Sequence, residues 1–409
     1  MRITQGLARR DPPPGRGDEV ARIIEAVREG GDSAVLELTE RFDRAQLAPD
    51  ELQVDPRELE ASVGVLEPAL LQALRTAIAN VRAVAERQLG EPVAVEGPQG
   101  QRIEVGEVPV GRAGVYVPGG RAPYLSTVVM CAVTARAAGV PQVAVCAPPG
   151  PGGKAHPAIL AACVLCEVSE VYRMGGAQAV AALAYGTESV RAVDVIAGPG
   201  NAWVTEAKRQ VFGVVGIDGL AGPSELLVIA GADADPELVA LDLLAQAEHG
   251  PDSPVAFVAL DQRLLEAVLS AVRRMAPERP SVTDAELQVM SVGDPHGALR
   301  AAEDFAPEHL QLVGAEAEAL AADVRRAGCV FVGPGAGTAF GDYVAGSNHV
   351  LPTGGSARFE SALSVSTFRR RMARVSLPGG APARLAPAGA TLARAEGFPV
   401  HAESMERRA

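Results

Sequence analysis

Two short stretches and three isolated residues of this 409-residue chain offer groups that can do chemistry. Gln246 and His249 fall in the last turn of a helix expected over Asp235 to His249, with Asp235 as N-cap, Pro236 in the first turn and Gly250-Pro251 stopping it. Leu238, Leu241 and Leu244 are expected to form its buried stripe. Three residues apart, Gln246 and His249 are separated by about 60° around the axis and can face one point. They suit a two-ligand metal arm, and equally a polar last turn capped by a histidine. Glu308-His309 stand directly before a run, Leu310 to Val313, that reads as a strand. A histidine near neutrality can take a proton from an alcohol, and a carboxylate beside it can activate water. The dipeptide also suits a loop facing solvent. Asp342, His349 and His401 lie in Gly-, Pro- or charge-bordered segments further on. The set Gln246, His249, Asp342 and His401 supplies only nitrogen and oxygen donors, which suits Zn²⁺ or Mn²⁺ and leaves room for substrate nitrogens. Spacing alone does not assemble these residues into one site.

Other chemistries are poorly served. The five cysteines, Cys131, Cys146, Cys163, Cys166 and Cys329, sit in apolar strand-like or helix-like runs, so they read as core and not as disulfides, metal ligands or thiolates. No G-x-G-x-x-G follows a strand. Gly198-Pro199-Gly200-Asn201 is the nearest candidate for a phosphate-facing helix start, although such a turn also needs glycine for conformation alone. Pro149 to Lys154 resembles a phosphate loop superficially and lacks its first glycine and its hydroxyl residue.

A net charge of -13 argues against a nucleic-acid partner. The first residues show no apolar run of a secretory signal, and no stretch approaches the roughly 20 apolar residues of a membrane span. A cytoplasmic location is expected. Hydrophobic residues make up 48% of the chain, enough for two packed domains.

The elements that must position the polar residues alternate between β-branched and helical runs, which points to an α/β fold with parallel sheets. Strands are expected at 114–117, 142–146, 170–173 and 193–197, with helices at about 124–138, 156–167, 176–184 and 202–212. After Ala221-Gly222-Pro223-Ser224 the pattern restarts, with strands at 225–229, 254–260, 310–313 and 329–332. The expected division is a mostly helical segment 1–112 packing on the second βα domain, Rossmann-like domains at 113–223 and 224–365, and a tail at 366–409.

Several longer segments carry a family resemblance. They are Gly111 to Gly120 (GRAGVYVPGG), Gly175-Gly176-Ala177-Gln178-Ala179, and Gly198-Pro199-Gly200-Asn201 running into Val204 to Lys208. They continue with Ala221 to Glu225, Gln246 to Gly250, Pro307 to Leu310, Gly341-Asp342-Tyr343, Asn348 to Thr353, Glu396-Gly397 and His401-Ala402. In this order they make the chain resemble histidinol dehydrogenases from near its start to its end. The resemblance implies two Rossmann-like domains related to those of aldehyde dehydrogenases, and oxidation of L-histidinol through L-histidinal to L-histidine with NAD. It implies Gln246, His249, Asp342 and His401 as zinc ligands and Glu308 and His309 as the acid/base pair. Tyr116, Gln178 and Asn201 would contact NAD, and Ser224, Glu396 and His349 the substrate, with the zinc ligands and His309 also touching it. It further implies a homodimer in which His401 and Glu396 are supplied across the interface. The family usually carries a proline in the helix where this chain reads Ala132-Val133-Thr134-Ala135, and the charged end Glu403 to Arg408 also departs from it. The rivals are a dehydrogenase of a related amino alcohol, a non-catalytic metal-binding paralogue, a thiol-based aldehyde dehydrogenase and a zinc hydrolase.

Overall fold

The computed structural model describes residues 1–8, 16–119, 123–150, 152–282 and 285–409; Gly120 and Pro151, named above, lie outside them. The chain opens on a strand, β1 (Arg2–Gln5), followed by the helices Gly17–Asp43 and Pro68–Arg87 and an antiparallel pair, β2 (Val93–Glu96) and β3 (Arg102–Pro109). Next come β4 (Arg112–Tyr116), β5 (Gln142–Ala147), β6 (Glu170–Arg173), β7 (Val195–Ala197) and β8 (Gly216–Ile217), a parallel sheet ordered β6-β5-β4-β7-β8. A second parallel sheet contains β9 (Leu226–Ala230), β10 (Val255–Ala259), β11 (Glu286–Ser291), β12 (His309–Val313) and β13 (Cys329–Val332). Its order is β1-β11-β10-β9-β12-β13, so the first strand of the chain forms its edge. Finally β14 (Arg369–Ser376) returns to pair with β3.

β4, β9, β10 and β12 are buried along their whole length; β9 (LLVIA) and β10 (VAFVA) are the near-continuous apolar runs expected when helices cover both faces of a parallel sheet, while β4 and β12 also bury Arg112, His309 and Gln311. Strand order reverses once in each sheet, between β4 and β7 and between β9 and β12. In open α/β sheets such points open a crevice.

The two βα units form where the sequence pattern places them, with strand ends within two residues of expectation. β8 and β11 lie outside the expected strands, and β11 carries Gln288 within its apolar run. That glutamine is buried, and its amide accepts from Ala8 N (2.7 Å) and donates to Ala8 O (3.0 Å), tying the N-terminus to the second sheet.

The N-terminal helices cover the first domain, contrary to the expectation that they pack on the second. Val20, Ile23 and Val27 share a core with Ala179, Leu183 and Ile196, while Leu74, Ile78 and Val81 join Val115, Val129 and Val133. The helices Pro157–Leu165 (PAILAACVL) and Gly176–Tyr185 (GAQAVAALAY) are apolar almost all round, so lying on a sheet leaves an apolar back that needs a second layer. The leucine stripe of the helix Pro236–Ala247 is also corrected. Val239, Ala240, Leu243, Leu244 and Ala247 are buried, whereas Leu238 and Leu241 are exposed, because residues spaced strictly by three drift off a 3.6-residue turn.

One helical stretch reaches from the first domain to the second. Leu125–Ala137 passes through a wider π-helical turn at Val129–Val133. There the Met130 carbonyl accepts from the Thr134 hydroxyl (2.6 Å) and from the Asn348 side-chain amide (3.1 Å). The C-terminal helices Ala381–Ala395 and Pro399–Glu406 clasp each other through Ala390, Ala393, Ala402 and Met405.

Candidate active site

β9 and β12 run side by side with His309 opposite Leu226, which brings Ser224 and Glu225 to the same end of the sheet as Glu308. These are the amino ends of the strands. The Glu308 carboxylate is buried and its Oε2 accepts from Ser224 Oγ (2.7 Å) and from the Glu225 backbone N–H (2.7 Å). Gln246, at the end of its helix, donates from Nε2 to Ser224 Oγ (3.0 Å) and to Ser253 Oγ (3.0 Å), and Ser253 in turn donates to the Ser224 carbonyl. The amide nitrogen is thus engaged by hydroxyls, and the carbonyl oxygen is the donor atom Gln246 can offer a cation.

His309 is buried beside this group. Its Nδ1 lies 2.9 Å from the Glu225 carbonyl oxygen and 3.3 Å from Glu308 Oε2, and its Nε2 lies 3.6 Å from Asp342 Oδ1. A carbonyl oxygen only accepts, so Nδ1 carries a proton and Nε2 is the nitrogen whose lone pair is available when the ring is neutral. Burial disfavours the imidazolium, but the carboxylates of Glu308 and Asp342 outweigh it and raise the histidine well above its usual range. Asp342 answers in the opposite sense. Burial opposes its charge, yet His309, His349 and His249 hold its carboxyl below the usual value. His349 turns Nδ1 to the Asp342 carbonyl (2.8 Å), and burial lowers its basicity.

These contacts link Ser224, Gln246, Glu308, His309, Asp342 and His349, and His249 lies near enough for its charge to act on Asp342. His401 and Glu396 do not join them in this chain. Both are exposed on the C-terminal helical pair, with the His401 ring 5.3 Å from that of Phe398. Among the described residues no group of three His, Cys, Asp or Glu side chains could hold a metal ion. The nitrogen and oxygen donors of Gln246, His249 and Asp342 fit zinc chemistry, and a fourth ligand has to be added to them.

Tyr116, Gln178 and Asn201 meet elsewhere, on a cleft of about 1160 Å³ at the carboxyl ends of β4 to β7. Tyr116 and Gly198 leave neighbouring strands at the reversal point. A Cβ on Gly198 would strike the Tyr116 carbonyl, and its φ of +115° is a conformation L residues rarely adopt, so only glycine fits. The buried Lys208–Asp218 ion pair braces this turn: Lys208 Nζ donates to Gly198 O (3.0 Å), and Asp218 Oδ2 accepts from Gly198 N (2.7 Å). Asn201 caps the next helix, accepting from Trp203 N (3.0 Å) and Val204 N (3.2 Å), and keeps its NH₂ donors. Gln178 is wholly buried, yet neither atom of its amide has a partner. An orphaned buried amide on the wall of a cleft of this size fits a polar ligand such as a dinucleotide.

A family model described as histidinol dehydrogenase matches residues 15–409. The chain belongs to the histidinol dehydrogenase family. It is 45% identical to the histidinol dehydrogenase of Parasynechococcus marenigrum, a match covering 99% of this chain and 94% of that protein. The crystal structure of histidinol dehydrogenase from Elizabethkingia anophelis superposes with a TM-score of 0.93 at 31% identity, covering 100% of this chain and 98% of that one. An NAD-dependent aldehyde dehydrogenase from Sinorhizobium meliloti shares the fold at a TM-score of 0.51 and 13% identity, with 88% and 87% covered.

None of the five cysteines of this histidinol dehydrogenase family member is held as a ready thiolate. Cys131, Cys146, Cys163 and Cys166 are buried, and burial pushes their thiols up, that of Cys166 to about 12. Cys329, whose thiol feels the charge of His309, is also raised, chiefly by burial. Thiolates are disfavoured throughout. No described helix is long and apolar enough to cross a membrane.

Sequence reasoning passed over Ser253, which anchors Gln246 and Ser224, and Asn348, whose contact is 218 residues away. It also passed over Trp203 and Asp43 on the cleft. Trp203 had a signal, as the only tryptophan, two residues after Asn201. Asp43 had none.

Proposed function

We propose that the protein oxidises L-histidinol through L-histidinal to L-histidine, the last steps of histidine biosynthesis, in two two-electron steps with NAD and a bound zinc ion. The observation that carries the reading is the meeting of Glu308 and His309 with Ser224, Gln246 and Asp342 at the amino ends of β9 and β12, in a chain of the histidinol dehydrogenase family. Gln246, His249 and Asp342, with His401 of the partner subunit, would hold the metal, for which Mn²⁺ is a substitute. Tyr116, Gln178 and Asn201 would hold the dinucleotide. When bound, the metal supplies a fixed positive charge that orients the substrate nitrogens and the dinucleotide supplies a hydride acceptor.

With Asp342 engaged by the metal, its charge would no longer hold a proton on the ring, and His309 Nε2 would take the hydroxyl proton during the first oxidation. For the second, Glu308 takes a proton from the water that adds to the aldehyde carbon, and the hydrate so formed loses the second pair of electrons to become the carboxylate. Ser224 holds Glu308 in place through its hydroxyl. His349 and Glu396 of the partner subunit complete the substrate pocket. The active form is a homodimer and its location the cytoplasm.

The test is stoichiometry. Purified protein should form two NADH per histidinol consumed, and a value of one with histidinal accumulating would contradict the reading. A chelator should abolish turnover and Zn²⁺ or Mn²⁺ restore it, whereas full activity in metal-free protein would remove the ligand assignment. Replacing all five cysteines by Ala or Ser should leave turnover within about tenfold, roughly 1.4 kcal/mol of barrier. A loss of several orders of magnitude in a folded variant would restore a thiol mechanism.

A further inference from the structure

Two acidic groups line the cleft on the first domain: Glu58, which pairs with Arg173 at 2.6 Å, and Asp43, which the proposed reaction leaves without a task. Asp43 ends the long helix Gly17–Asp43 and lines the cleft together with Phe42, Tyr116, Gly176 and Trp203. Its Oδ2 is buried and meets no hydrogen-bond donor. The neighbouring donor is engaged elsewhere, since Gly176 N–H goes to the Tyr116 hydroxyl oxygen at 3.1 Å. Burial raises the Asp43 carboxyl to about 6, so it is ionised at neutral pH with that oxygen unmet. A buried charge in that condition is a standing cost that a neutral side chain would reduce.

Gln178 stands on the same cleft with both of its amide atoms unpaired. One acceptor-only group and one group that both donates and accepts describe the wall of a site for a ligand carrying hydroxyls. In dinucleotide sites a carboxylate that accepts from the ribose hydroxyls also repels a 2′-phosphate. We propose that Asp43 accepts a ribose hydroxyl of the dinucleotide and so selects NAD over its 2′-phosphorylated form. This rests on the placement of the dinucleotide in this cleft. The acidic residue comes here from the end of a helix that precedes the βα units, not from a strand of the sheet that forms the cleft.

Trp203, the only tryptophan of the chain, lines the cleft, so its fluorescence reports occupancy without turnover. Wild-type protein titrated with NAD⁺ should show a saturable change, and NADP⁺ should bind much more weakly. In Asp43→Asn the Kd for NAD⁺ should rise about tenfold or more, the scale of a hydrogen bond to a charged group. The Kd for NADP⁺ should hold or fall, so the preference for NAD⁺ narrows at least tenfold. The melting temperature of the variant without nucleotide should rise, because an unpaired carboxylate has gone. Unchanged NAD⁺ affinity and preference would overturn the proposal, as would a lowered melting temperature, which would show the carboxylate engaged within the fold. A wild-type protein that binds NAD⁺ by equilibrium dialysis with Trp203 silent would instead overturn the placement in this cleft.

Discussion

His309→Asn should lower the rate of histidinol oxidation by about 10²–10⁴-fold, the usual contribution of a positioned general base. The asparagine amide can still donate to the Glu225 carbonyl, as His309 Nδ1 does, so the amino end of β12 keeps its anchor while the basic Nε2 is lost. Glu308→Gln should lower the oxidation of histidinal by a similar factor and leave the alcohol step less affected. A glutamine carbonyl oxygen can accept from Ser224 Oγ and Glu225 N in place of the carboxylate Oε2. What disappears is the capacity to take a proton from water. Rates measured separately with histidinol and with histidinal decide the matter. If both variants lost both half-reactions equally, the division of roles would fall even with the site in the right place.

Mixing two inactive proteins should restore activity. His401 and Glu396 are exposed on the C-terminal helices, and the Gln246, His249 and Asp342 cluster of the same chain lacks a fourth ligand. Phe398 and Val400, 52% and 72% exposed, flank His401 and give this arm an apolar face suited to lie on another subunit. Combining His401→Ala with His309→Asn, after dissociation and reassociation, makes half the dimers mixed, each with one intact site. Activity should recover to roughly a quarter of wild type. No recovery despite demonstrated subunit exchange would show that His401 serves its own chain.

Both predictions rest on residues whose legibility in the sequence differed for physical reasons. Asn201 before an amphipathic run and Glu308-His309 before a strand are local arrangements, set by caps and chain direction, and the structure reproduces them. Asp342 and His349 were candidates by residue type alone, and it took the family motifs to group them with residues a hundred positions away. The unread part is long-range. Gln288 looks like a break in a strand until Ala8 is found beside it. Leu238 and Leu241 look like core until the sheet beneath chooses Val239 and Leu243 instead. The N-terminal helices are amphipathic in either location, and only the all-apolar backs of the first domain's helices decide where they go.

The Met130 carbonyl carries a lesson about substitution. A proline within a helix lacks an N–H and leaves the carbonyl four residues earlier without its usual donor. The sequence resemblance implies a proline in the segment where this chain has Ala132-Val133-Thr134-Ala135. Here the Thr134 hydroxyl and the side-chain amide of Asn348, the residue next to His349, share the Met130 carbonyl oxygen. One main-chain oxygen thus receives a hydroxyl from its own helix and an amide from the other domain. Because the acceptor is a main-chain atom, residue 130 can change identity while the hydrogen bond that joins the domains endures.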